Sequence, residues 1–439
     1  MKQLLIIVLM GIAVPCAAMA QTDPDWKPCQ ADDAATDAIA ACTRLIETNQ
    51  LGLGDRVTAY YHRGTAYWRK HDYDRAILDE NAAIELDPNY ANAYMRRGTC
   101  YASKGDYERG MADESKAIEI DPVNAKAYSN RGLFRSRRGD QTGAIADTTR
   151  AIEIDPKFAN AYGARGNAYW RSGDNDRAIA DLSRVIEIEP KSNYAYGIRG
   201  SAYARTGDYD RAIADASSAI EIEPNSLYAY HARATAYANK RDYDRALSDY
   251  SRGIEINPKD VFSYEGSGSA YWYKGDYDRA LIQYTKAIEL DPKNVSSYNG
   301  RGSSYAAKGD YDRSMAEYNR AIEINPEDAA AYGGRAAAYW YKGDFDRVLS
   351  DYTRAIEIDP KSAIPYGGRG DAYFRKEDYD RAIADAAKAI EIDPEYIYAY
   401  RVRGDAYAAK HDGIAALADR NKVIELTSRQ AERRDRQRQ

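Results

Sequence analysis

Small, apolar and polar residues return along this chain with a period of 34. Proline stands at 88, 122, 156, 190, 224, 258, 292, 326, 360 and 394, each preceded by Glu-Ile or Glu-Leu. A fixed period of this length marks a stacked array, not two or three globular domains, although 439 residues would otherwise suggest the latter. Residues 91–124 serve as the type unit and divide into two helical stretches, near 92–104 and 107–119, separated by Gly105-Asp106. Glycine suits a left-handed residue that ends the first helix, and aspartate accepts from the free N–H groups that open the second. Eleven units, from 57–90 to 397–430, keep this aspartate, from Asp72 to Asp412. Each unit is thus a helix-turn-helix.

The repeated residues resemble the tetratricopeptide-repeat (TPR) family, whose pattern runs aromatic, Leu-Gly, Tyr, Ala, aromatic, Ala and Pro at fixed offsets. Tyr94, Gly98, Tyr101, Ala117 and Pro122 carry it in one unit, and Tyr60, Gly64, Tyr67, Ala76, Ala83 and Pro88 in another. The resemblance covers 57–430 and implies an all-α fold, a right-handed superhelical solenoid of antiparallel helix pairs. Small residues such as Gly98 and Ala76 then let paired helices approach closely, and the tyrosines, 40 in all against five Phe and five Trp, wedge between neighbours.

The chain departs from the family where leucine is usual. Ten units carry Arg there: Arg63, Arg97, Arg131, Arg165, Arg199, Arg233, Arg301, Arg335, Arg369 and Arg403. Sixteen residues later the same ten place an acid, as in Asp79, Asp113, Asp181, Asp249, Glu317 and Asp385, whereas the unit with Ser267 has Gln283. A buried guanidinium needs an acceptor, so the spacing predicts an Arg–carboxylate ladder along the array. A rival partner for each acid is the Arg four residues before it, such as Arg75 for Asp79, but Arg279 persists beside Gln283.

Two units are irregular. At 125–158 Arg135 replaces the expected Tyr, and Phe134, one residue early, is placed to fill the gap. At 397–430 Gly413 replaces Tyr and Ser428 replaces Pro, so the second helix can run on into the basic tail 431–439 as a solubilising cap. At the other end, within 21–56, residues 37–47 resemble a lone second helix that would cover the first repeat.

Residues 1–20 read as a secretory signal: Lys2, the apolar run Leu4 to Val14, and Ala18-Met19-Ala20 as cleavage site. A lipoprotein would use Cys16, but Ala13-Val14-Pro15 fits its motif poorly. No other stretch approaches the ~20 apolar residues that span a bilayer. The expected location is therefore periplasmic or secreted, with no membrane insertion after cleavage. Export permits disulfides, and Cys29 and Cys42 flank the first predicted helix, where a bridge would pin the terminus. Cys100 falls where other units have Ala66, Ala168, Ala202 and Ala236, and reads as a small buried group.

A net charge of -6 with interspersed signs gives no reason to expect nucleic acid, and the arginines of the tail, from Arg429 to Arg438, read first as a solvated helix end. Four scattered histidines, two of them (His71 and His411) replacing the turn glycine, and the lack of a phosphate loop or nucleophile motif predict neither enzyme activity nor a cofactor or metal. The Glu-Ile-Asp-Pro turns supply too few oxygens for calcium. Function is then expected to be the binding of protein or peptide segments. In the family the first helices line a concave groove, with the second, fifth, ninth, twelfth and thirteenth residues of each unit facing inward. Those positions here hold Trp68, Trp170, Trp272, Trp340 and Phe374 at the twelfth; Tyr194, Tyr228, Phe262 and Tyr398 at the second; and Tyr273 and Tyr341 at the thirteenth. Gly163, Gly197, Gly333 and Gly367 at the fifth would leave room for a ligand backbone. The rings could instead pack on neighbouring repeats. The Lys and Asn clamp with which some family members hold a terminal carboxylate is missing here, where Gly, Ser, Thr and Ala stand, with Asn167 alone at its ninth position. The alternative to groove binding is a fixed part of an envelope complex joined through its convex face or edges.

Overall fold

The computed structural model describes residues 23–31, 35–48 and 51–438; the proposed signal and Cys16 lie outside them. The described residues form 24 helices and no strand. They fall into two compact units, 1–224 and 225–439. Within each unit the chain is a solenoid of antiparallel helix pairs, in which a first helix such as Ala91–Ser103 packs on its own second helix, Tyr107–Ile120, and on the first helix of the next repeat.

The turn between paired helices follows from two residues. Gly105, Gly139, Gly173, Gly207, Gly275, Gly309 and Gly343 have φ between 77° and 90°, the left-handed conformation in which a Cβ is strained. His71, Arg241, Glu377 and His411 adopt it without that freedom, at 60–62°. The following aspartate then caps the second helix. Asp106 accepts from the Arg109 backbone N–H at 3.0 Å and Asp412 from Ala415 at 3.0 Å, and the nine aspartates between Asp72 and Asp378 that hold the same position do likewise. Each such cap stabilises its helix by about 1 kcal/mol. The Asp-Pro turns between repeats are closed the same way: Asp155 accepts from Lys157 N at 2.9 Å, and Asn257 from Lys259 N at 3.1 Å. Since a neutral Asn serves as well, the acid works there as a hydrogen-bond acceptor and not as a charge.

Close approach is set by alanines at full burial, among them Ala76, Ala83, Ala117, Ala151 and Ala321, and by glycines such as Gly98, where a Cβ would stand 3.0 Å from the Gly110 carbonyl. Cys100 is also fully buried and free. Burial pushes its thiol up to about 12, so it remains protonated.

The Arg–carboxylate ladder is present in all ten repeats. In nine it is bidentate, as in Arg199, which donates from Nε to Asp215 Oδ2 at 2.8 Å and from Nη2 to Oδ1 at 2.7 Å. Arg301 reaches Glu317 by one bond, 2.8 Å, and its Nε is left without a partner. The rival arginines are used elsewhere: Arg211 pairs with the cap Asp208 and lies over the Tyr203 ring at 4.5 Å. A third contact was not foreseen. The remaining Nη1 of the ladder Arg crosses to the second helix of the preceding repeat, as in Arg97 to Asn81 at 2.7 Å, Arg199 to Ser183 at 2.9 Å and Arg369 to Thr353 at 3.1 Å. Where this bond forms the guanidinium binds two helix pairs, whereas Arg403, with Ala387 at the acceptor position, bonds only Asp419; each ladder arginine has the tyrosine three residues earlier beneath it.

At the N-terminal end Cys29 and Cys42 are joined (S–S 2.08 Å) and, with Trp26, Ala41 and Leu45, cover the first repeat. In the third repeat Phe134 is buried against Tyr107, while Arg135 joins Asp147 at 3.1 Å. The last helix runs unbroken from Gly413 to Arg438, and Arg433 ties it back to Glu395 through two bonds of 2.9 and 3.0 Å. No described helix is long and apolar enough to cross a membrane.

Candidate functional site

The eleven expected groove rings do not form one uniform surface. In residues 1–224, Trp68 and Trp170 are half-buried, and an arginine from the next repeat covers each: Arg96 lies 4.6 Å from the Trp68 centroid, and Arg205 lies 4.1 Å from that of Trp170 while donating to the Trp170 carbonyl at 2.6 Å. Tyr194 is exposed on one side and accepts from Asn167 Nδ2 at 2.9 Å. Its ring stands over Gly163, and that of Tyr396 over Gly367, so neither glycine is open to a ligand backbone; each makes room for a tyrosine. Gly197 is likewise buried, whereas Gly333 has open space where its Cβ would be.

In residues 225–439 the rings gather. Tyr273 stacks on Tyr243 (5.5 Å, 2° between planes) with Trp272 edge-on, and Tyr341 stacks on Tyr311 (4.8 Å, 6°) with Trp340 edge-on. Tyr273 and Tyr341 are each 62% exposed. Phe262 and Tyr228 are exposed as well, Phe262 packing on His231 at 4.4 Å. His231 is held in turn by Asp260, its Nε2 lying 2.7 Å from Oδ2.

Two cavities open among these rings. One, of about 590 Å³, lies between Tyr243, Tyr250, Gly266 and Tyr273. The other, of about 420 Å³, is walled by Trp340, Tyr341, Phe374 and Tyr398, with Asp371 among its lining residues. Thus four of the expected rings converge on one site. Asp371 Oδ2 accepts from Trp340 Nε1 at 2.9 Å and from the Tyr398 hydroxyl at 2.7 Å, which fixes both rings.

The sequence reading missed a further row of rings. Tyr250, Tyr284, Tyr318 and Tyr352, on the second helices of four consecutive repeats, are buried against Gly266, Gly300, Gly334 and Gly368 of the repeats that follow. A methyl group on any of these glycines would overlap its ring. Burial raises all four phenols above their usual range, so they stay neutral donors. The signal for this row was available: the residue at the twenty-fourth position changes together with the sixth of the next repeat.

Sequence models of the tetratricopeptide repeat match residues 35–91, 61–125, 164–227 and 266–329, and further TPR models match 137–173, 227–260, 329–362 and 370–410. Among solved structures the chain is similar to yeast Tom70, at 19% identity over 85% of this chain and 93% of that one, with a TM-score of 0.47. It is also similar to a tetratricopeptide repeat protein from Parabacteroides merdae, at 20% identity over 57% and 98%, with a TM-score of 0.46. No curated protein sequence matches. With matches spread from residue 35 to residue 410 over most of eleven periodic helix pairs, the chain belongs to the tetratricopeptide-repeat family.

Proposed function

We propose that this protein works outside the cytoplasm as a scaffold that grips peptide or protein segments on the face formed by the first helices of its repeats. Tetratricopeptide repeats are protein–protein interaction modules, and the finer reading rests on one observation. Trp340, Tyr341, Phe374 and Tyr398, the expected inward-facing rings of three consecutive repeats, surround a cavity of about 420 Å³. Exposed aromatic anchors beside a preformed pocket are what a protein-binding hot spot needs. The Cys29–Cys42 disulfide supports an oxidising compartment, as does the signal read at 1–20.

The test is selection of displayed peptides on the full chain, beside a Tyr273→Ala/Tyr341→Ala variant. Both rings are mostly exposed, so their loss leaves the fold intact. Peptides retained by the parent and lost by the variant support groove binding. Equal retention by both moves binding to the outer face, where Leu78 and Ile282 are exposed on second helices, and favours the fixed structural role instead.

A further inference from the structure

The ninth residue of each repeat stays within narrow limits until the end of the array. It is a hydroxyl residue in six repeats, as in Thr235, Ser269 and Ser303, and Leu133, Asn167 or Ala337 in three. Only the last two repeats place an acid there, Asp371 and Asp405, and both line the 420 Å³ cavity.

Asp371 is 7% exposed and its two oxygens differ. Oδ2 holds Trp340 and Tyr398, but Oδ1 receives no hydrogen bond and has only a loose ion pair, with Arg375 Nε at 3.8 Å. A second, independent group points the same way. In the eighth repeat the buried phenol of Tyr318 is satisfied by Ser303 Oγ at 2.9 Å. One repeat later Ala337 takes the place of that serine, so the hydroxyl of Tyr352, a side chain only 8% exposed, has no partner and lines the same cavity. The site thus has a half-satisfied carboxylate and a free phenol at depth.

The basic lining residues are more exposed than the acid. Arg375 is half-exposed and Arg401 exposed, over the rings of Trp340 and Tyr398 at 5.6 and 4.8 Å. An anion at the floor would meet the Asp371 charge where water screens it least, whereas a cation there gains both that charge and the aromatic walls. We infer that this cavity is a subsite for one basic side chain, lysine or arginine, of a bound peptide, its ammonium or guanidinium donating to Asp371 Oδ1 and the Tyr352 oxygen. Arg375 and Arg401 at the mouth then face the peptide's carbonyls or an acidic neighbour. This rests on the groove reading above.

The probe is a positional-scanning library of acetylated, amidated decapeptides, offered to the full-length chain and to Asp371→Asn, Tyr352→Phe and Tyr273→Ala/Tyr341→Ala variants. Asp371→Asn keeps an oxygen for Trp340 and Tyr398, and Tyr352→Phe removes only the free hydroxyl, so a melting curve matching the parent's shows that each is folded. The expected result is enrichment of Lys or Arg at one position, replaceable by neither norleucine nor citrulline, with affinity about 10- to 100-fold weaker in Asp371→Asn. Peptides chosen for an acidic or apolar anchor, and held equally by Asp371→Asn, overturn the inference while leaving the groove reading in place. No peptide held above the level of the double tyrosine variant overturns both.

Discussion

Each ladder arginine should be coupled to its acid strongly enough to be measured, and the chain contains its own control. Arg199 and Asp215 are 17% and 7% exposed by side chain, paired through two bonds, with a third from Arg199 to Ser183 of the previous repeat. Arg199→Ser strands a buried carboxylate, at a cost of about 3–5 kcal/mol. Asp215→Gln leaves the guanidinium with Ser183 and one amide oxygen, at a cost of about 1–3 kcal/mol. The double variant reproduces the Ser267 and Gln283 pair that the seventh repeat already tolerates, so it should cost only about 1–2 kcal/mol. The coupling energy is then at least ~2 kcal/mol, well above the ~0.5 kcal/mol scatter of independent sites.

Urea unfolding followed by circular dichroism at pH 7 gives the four corners of the cycle. Amide exchange in Asn193–Arg205 and Tyr209–Ile222 should show the loss confined to that repeat and its neighbours, because each repeat touches only those beside it. Additive single costs, or a double variant worse than either single, would refute the ladder as a pairwise device.

Other outcomes follow from single sites. Burial raises the Glu80 and Glu114 carboxyls well above the usual range, so they favour the folded state when protonated, and this support fades as pH rises through their folded pKa values. Exchange protection in residues 73–120 should therefore increase as pH falls from 8 towards the ordinary glutamate range, and Glu80→Gln should flatten that slope. Glu377, at φ 60°, sits where glycine serves seven other repeats, so Glu377→Gly should stabilise the chain by roughly 0.5–1 kcal/mol in urea melts. Replacing Cys29 and Cys42 by alanine opens a loop of 13 residues and should cost about 3 kcal/mol locally, seen as faster proteolysis between 23 and 48 while residues 57–430 stay protected.

Much of the fold was legible because the same solution is written eleven times. Eleven aspartates after a turn residue gave the caps, and the joint loss of Arg and acid at Ser267 and Gln283 gave the ladder's pairing. The third arm of the ladder stayed hidden because its acceptor varies among Asn81, Ser183 and Thr353, residues alike only in offering an oxygen. Exposure in the groove was harder to read, since it depends on what the next repeat lays over each ring. Trp68, Trp170 and Trp340 share their position, and Arg96, Arg205 and Arg375 of the following repeats lie over them, yet of the three Trp340 alone donates from its indole to a carboxylate, at a cavity. Gly163 and Gly367 read as vacancies for the same reason: Tyr194 of the following repeat fills the first, and Tyr396, at the far end of the same repeat, fills the second.

Several joints between repeats show complementary volume or charge. Tyr250, Tyr284, Tyr318 and Tyr352 each meet a glycine, the small Ala386 stands sixteen residues before the larger Val402, and Glu114 accepts from Asn130 at 3.0 Å. Interiors packed to crystal-like density require such exchange, because a ring admitted on one helix must be matched by a side chain withdrawn from the other. Since each joint is settled by its own pair, a large residue can be installed at one without disturbing the next. The four tyrosine–glycine joints follow one another from Tyr250 to Gly368, in the same stretch that carries the stacked Tyr243–Tyr273 and Tyr311–Tyr341 pairs. Three of the four place a groove hydroxyl near the phenol, and the fourth omits it where Asp371 enters. A frame that repeats so closely makes its few departures informative, and here they meet in one cavity, where the proposed subsite would draw its specificity from Tyr352 and Asp371 more than from the periodic rings.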